Sequence, residues 1–325
     1  MLDRADSPGI QAIAAPATGP LPAWARSQNP PDTEAEAAFL AGAALARLDA
    51  IVRADPPWCG VWRRRLALTA AAASVARAGR GEGEAALRDA FHLTRPDGRQ
   101  SFAWRRDPGP AGRRLLAWRA LTAASPARWR TQIERAAEAL EVPRDEALQS
   151  AIEAAAAGAD GDRPAPFAAA RCYQLARRAL GSDGGAGELL AAGLADTVLA
   201  LKLKWPFALP LLASSLAAHH GGAARRSAGE GEVLLFGYAR GAARAGDLAM
   251  DLARRAQNLA EAAPRLRAKG ARAALQALLD EDSLSAATPL TGLSERGARR
   301  LFERLVALGA ARELTGRASF RIYGL

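Results

Sequence analysis

Residues that favour β-strands are scarce in this chain until its last forty or so positions. Alanine, leucine and arginine dominate, and aromatic residues make up only 6% of the sequence. β-Branched residues gather toward the C-terminus, so a sheet has little to be built from anywhere else. The fold class that follows is mainly α, a multi-helix bundle, and 325 residues are enough to bury a large core with a small second unit beside it.

The chain divides into three parts. Residues 1–32 carry six prolines and no apolar run, which reads as a disordered lead without a secretory signal. An all-helical domain is expected over 33–263. Thr33 with Glu36 makes a capping box for its first helix, which stops before Asp55-Pro56-Pro57. Further helices are expected at 58–78, 84–93, 112–123, 126–140, 143–157, 167–180, 187–203, 206–218 and 230–263. Residues 94–110 read as a loop, and Gly158–Pro166 as a linker. The third part, 264–325, opens with a helix over Arg265–Asp280 whose Leu266, Ala273, Leu275, Leu278 and Leu279 are expected to bury against a later helix.

That later helix carries the functional reading. Ser294 can cap a segment in which Ala298, Leu301, Phe302, Leu305 and Leu308 follow one helical face, and Gly309 stops it. Ala311–Leu314 and Ser319–Tyr323 then flank the turn Thr315-Gly316-Arg317-Ala318, the pattern of a β-hairpin. Helix then hairpin is the order of a winged helix-turn-helix, here with one β-hairpin. Rotation by 100° per residue places Arg296, Arg300 and Glu303 opposite the buried face, with Arg299 and Arg304 on its flanks.

Charge is distributed unevenly. Net charge is +10, yet residues 1–57 carry 4 basic and 7 acidic groups and 131–282 carry 18 and 19. The excess lies in 58–130, with 15 and 5, and in 283–325, with 7 and 3. In 58–130 the arginines alternate with Trp58, Trp62, Trp104, Trp118 and Trp129. Nucleic-acid contact by stacking would use such a mixture; the favoured reading is tryptophans in the core and arginines lying over them.

Candidate chemistry is thin. Three histidines and two cysteines, Cys59 and Cys172, have no metal-ligand spacing, and so few cysteines suit a reducing cytoplasm. His219-His220 reads as a helix end and His92 as a half-buried histidine. Gly79–Gly83 lacks the ending of a phosphate loop. No unbroken apolar run is long enough for a membrane span. The expectation is a non-enzyme with no cofactor, no metal and no membrane partner.

Two resemblances add to this. Ser285-Ala286-Ala287, Ser294, Ala298–Gly309 and Glu313-Leu314-Thr315-Gly316-Arg317 look like the winged-helix tail of bacterial Fic-type and related rhizobial proteins, though the second helix, with Pro289 and Gly292, is short. DPPWCGVWRRRLAL at 55–68, LRDAFHLTRP at 87–96, DPGPAGR at 107–113 and LKWPFALPLLA at 203–213 resemble an uncharacterised family of rhizobial and related alphaproteobacterial proteins, catalogued as domain of unknown function 1403. The second likeness implies a bacterial, often plasmid-associated setting and brings no activity with it. The expected function is a cytoplasmic DNA-binding regulator of transcription or of a replicon, with a body that forms a homodimer or senses a partner. Arg296, Arg299 and Arg300 would enter the groove, while Arg304 and Arg317 would meet phosphates. The alternative is an interaction or oligomerisation scaffold whose C-terminal module docks protein.

Overall fold

A computed structural model describes residues 19–94, 107–123, 126–181, 185–216, 229–266, 270–317 and 320–325. It is mainly helical, with twelve α-helices and one small antiparallel sheet among the described residues. The helices are α1 (Glu34–Arg53), α2 (Cys59–Arg77), α3 (Glu84–Thr94), α4 (Gly109–Leu121), α5 (Trp129–Ala139), α6 (Glu146–Asp160), α7 (Ala165–Leu180), α8 (Ala186–Leu203), α9 (Leu211–Leu216), α10 (Glu230–Ala262), α11 (Ala271–Asp280) and α12 (Glu295–Ala307).

The centre of the body is α8, where every residue from Leu189 to Ala200 is buried. A helix apolar on all sides must be enclosed, and α4, α5, α6, α7 and α9 enclose this one. Gly193 allows a close approach of α4, since a Cβ there would lie 2.6 Å from Leu121 Cδ1. The 33-residue α10 runs along α1 and crosses α9 and α7. Its Gly241 serves the same end, because an added Cβ would strike the Leu211 carbonyl.

Local capping sets several boundaries. Thr33 Oγ1 accepts from the Glu36 amide at 3.2 Å, and Glu36 Oε2 accepts from the Asp32 amide at 2.9 Å. The reciprocal bond of this capping box therefore reaches one residue beyond the cap itself. Asp145 Oδ1 accepts from the Leu148 amide at 3.1 Å and begins α6.

Several boundaries differ from the sequence expectation. Gly158 is not a linker residue: α6 continues to Asp160, and Ala165 already opens α7, which packs back on α6. The helix expected over Pro206–Ala218 begins at Leu211, because Pro210 excludes a helical conformation from the residue before it; residues 217–218 lie outside the described set. The expected loop over 94–110 yields its last two residues to α4, and its stretch 95–106, with Trp104, lies outside the described residues. Residues 19–32, expected within a disordered lead, bury Leu21 and Ala25 and tie Arg26 to Asp247 of α10 at 2.6 Å. Residues 1–18 are outside the described set.

The C-terminal part contains three strands where one hairpin was expected. β1 (Leu284–Ser285), β2 (Arg312–Glu313) and β3 (Ile322–Gly324) form a sheet in the order β1-β3-β2. Leu284 pairs with Tyr323 and Glu313 with the same Tyr323 on its other side. A two-residue strand such as β1 carries no period that a sequence pattern could reveal. The expected burial of the first C-terminal helix against the later one is also revised: α11 has α2 as its principal helical neighbour. One continuous apolar core joins this part to the body. No helix is long and apolar enough to cross a membrane, among the described residues.

Candidate nucleic-acid interface

Helix α12 forms where its sequence places it. Ser294 Oγ accepts from the Gly297 amide at 3.2 Å, and Gly309, at φ +69°, closes the other end in the left-handed region. Ala298, Leu301, Phe302 and Leu305 are buried. The Phe302 ring stacks on Tyr323 of β3 with centroids 4.9 Å apart, which fixes the helix against the sheet.

The opposite face is exposed and basic. Arg296, Arg299, Arg300 and Arg304 are all exposed, together with Glu295 and Glu303. The acids are engaged with neighbours: Glu295 lies 3.4 Å from Arg299, and Glu303 lies 3.5 Å from Arg321. Arg296, Arg300 and Arg304 have no carboxylate partner among the described residues. Their spacing of four makes a single row of roughly 12 Å along the helix.

Arg317 is placed differently. Its Nη2 lies 2.7 Å from Asp89 Oδ2 of α3, with the arginine side chain still 55% exposed. The turn between β2 and β3 thus leans on the helical body. Thr315 and Gly316 shape it by donating their amides to Glu313 at 2.8 and 2.9 Å. Burial pulls the Glu313 carboxyl upward, but these bonds outweigh it and hold the group below its usual range.

The joint between module and body is the part that sequence reasoning missed. Asp280 ends α11, Glu281 and Asp282 follow it before β1, and arginines of the basic segment 58–130 face these last two. Glu281 pairs with Arg119 and lies 3.9 Å from Arg64. Asp282 pairs with Arg65 and with Arg88 at 2.7 Å. Burial pushes the Asp282 carboxyl up, yet the guanidiniums of Arg65 and Arg88 outweigh it and hold the group below the usual carboxylate range. The carbonyl oxygen of Leu325 accepts from Arg255 at 3.0 Å. His92 Nε2 lies 2.9 Å from Ser283 Oγ, so this half-buried histidine serves the same joint. A run of three acids opposite a basic segment was a visible signal, but only the fold brings them together.

Of the tryptophans in 58–130, Trp58, Trp62 and Trp118 are fully buried and Trp129 is partly buried against the core, while Trp104 lies outside the described residues. Trp62 Nε1 donates to the Ala245 carbonyl at 2.9 Å and Trp118 Nε1 to Ser74 Oγ at 3.0 Å. Neither cysteine is a thiolate: burial pushes Cys59 up to about 11 and Cys172 up to about 12. No group of three metal-ligating side chains occurs among the described residues, and His219 and His220 lie outside them.

The family model described as "Protein of unknown function (DUF1403)" matches residues 13–325. The chain belongs to this family. No curated protein matches the sequence.

Proposed function

We propose that residues 264–325 form a winged helix that binds DNA, with α12 as the recognition helix. The observation that carries this reading is the row Arg296, Arg300 and Arg304, exposed and without carboxylate partners among the described residues. Its length suits a major groove about 12 Å wide. The strand order β1-β3-β2 around α12 supports it as well, because a winged helix pairs the strand before its recognition helix with the last strand. The usual second helix is replaced by a turn-rich stretch over 286–293. Arg299 would join the groove contacts by leaving Glu295, and Arg317 would reach phosphate by exchanging Asp89 for it. A regulator of transcription or of a replicon, dimeric through the helical body, is the role this reading fits.

The full chain and a variant with Arg296, Arg300 and Arg304 all changed to Gln would be titrated with duplex DNA across a salt series. The native chain is expected to bind more weakly as salt rises, and the variant's dependence to be shallower by about 0.9 for each phosphate that the substituted side chains no longer neutralise. No retention, or retention indifferent to salt, would overturn the reading.

Glu295 and Glu303 on the same exposed face favour a second reading, in which the module docks protein or a second copy. Light scattering separates the two. A triple variant that loses oligomers, in a chain that never bound DNA, supports the scaffold.

A further inference from the structure

Far from α12 in the sequence, a groove of about 260 Å³ opens between the segment Ala25–Gln28 and the face of α10 that carries Phe236, Arg240 and Arg244. Leu40 of α1 completes its apolar side. Three guanidiniums and one carboxylate line it: Arg26, Arg240, Arg244 and Asp247. The carboxylate is already taken. Asp247 accepts from Arg26 at 2.8 and 2.6 Å, and Arg47 stands 3.7 Å away behind it.

Among the described residues, the other two guanidiniums have no such neutralisation. Arg244 donates to the Ser214 carbonyl at 3.3 Å, an uncharged acceptor. Arg240 lies over the Phe236 ring, 5.7 Å from its centroid, and has no carboxylate partner among the described residues. One turn of α10 separates the pair, so two like charges share one side of the groove. Burial, and then the charge of Arg244, both lower the pKa of Arg240. Arg65, Arg88 and Arg119 are answered by acids, whereas half-buried Arg63 donates to the uncharged Thr122 carbonyl at 3.0 Å. Here the groove is left with an excess of positive charge facing an open space.

We propose that this groove binds a small oxyanion, a phosphoryl- or carboxylate-bearing molecule held between Arg240 and Arg244. Two guanidiniums present paired donors that match the oxygens of either group. The volume is just under the roughly 300–1,000 Å³ of sites for drug-sized ligands, which suits a small anion and excludes a folded polymer. The aliphatic floor from Ala239 and Ala243 and the side chain of Leu40 would receive the uncharged part of such a ligand. Nothing in this assignment depends on α12 or on DNA.

The test is calorimetric titration of the full chain, with inorganic pyrophosphate and with citrate in separate arms at one fixed ionic strength. Saturable binding of at least one probe is expected. It should weaken about tenfold or more in Arg240→Gln, the loss of a charged hydrogen bond, and stay unchanged in Arg144→Gln, an exposed arginine outside both the groove and α12. The arm that binds more tightly tells phosphoryl from carboxylate chemistry. Arg244→Gln, at a more exposed position, repeats the measurement if Arg240→Gln does not fold. Absence of saturable binding in both arms, binding that survives both groove variants, or equal weakening in Arg144→Gln would overturn the proposal.

Discussion

Asp282 and Asp196 show how one residue type is put to opposite uses. Asp282 stands between Arg65 and Arg88 and is held below its usual range, against the upward pull of burial. Its contribution to stability is complete above the ordinary carboxylate range and is lost as pH falls through its depressed folded value. Asp196 is fully buried in α8, and burial pushes it well above its usual value, although it accepts from the Leu212 amide at 3.3 Å. Its contribution is complete below the ordinary range and is lost as pH rises through the raised value. Asp282→Asn is therefore expected to cost about 3–5 kcal/mol at neutral pH, because two buried guanidiniums lose their counter-charge. In urea unfolding that difference should shrink in acid. Asp196→Asn should behave in the reverse sense: in melts from pH 4 to 8, the native chain's advantage over the variant falls as pH rises. Neither role could be read from the sequence, where Asp196 is a single acid in an apolar helix and Asp282 is the last of three consecutive acids with no arginine beside it.

At the scale of elements, local chemistry was largely legible. Ser294, Thr33 and Asp145 each cap a helix through a side-chain oxygen. Thr33 and Ser294 announce themselves by position relative to an apolar period, whereas Asp145 follows Pro143-Arg144 and the expected start at Pro143 was three residues early. Ser294→Ala is expected to cost about 1 kcal/mol, measured by thermal unfolding. Because α12 is anchored by Phe302 on Tyr323, amide exchange should rise first in its N-terminal turn. A loss near zero would mean that packing on the sheet, and not the cap, sets where α12 begins. Strand β1 and the break at Trp205–Pro210 were the weakly signalled elements. The first has two residues, and the second buries Trp205, Phe207 and Leu209 and so continues the apolar character of the helices on either side.

For the whole molecule, the decisive contact is that of α11 on α2. Gly60 makes it: a Cβ there would lie 2.7 Å from Asp280 Cα and 3.1 Å from its carbonyl oxygen, both backbone atoms that cannot step aside. Gly60→Ala is expected to cost about 1–3 kcal/mol by forcing the two helices apart. Hydrogen exchange is the informative readout, because protection should fall over 271–325 and stay near native in α8. Uniform loss across the chain would mean that the C-terminal part does not come loose as a unit. The acid-to-arginine contacts behind this docking engage four of the fifteen arginines of 58–130, a segment that the sequence left divided between a nucleic-acid surface and a solvated face.

Sequence alone was enough for the helical class, the extents of α1, α2, α8 and α10 to within a few residues, and the exposed arginine row on α12. Each of these depends on periods and caps that act within one or two helical turns. Long-range packing was needed to bring Arg317 to Asp89, to lock Asp280–Asp282 onto α2, α3 and α4, and to line an open groove beside the 25–28 segment with Arg240 and Arg244. Those outcomes join residues tens to hundreds of positions apart, and a charge does not reveal from its neighbours in the chain which opposite charge will be buried beside it.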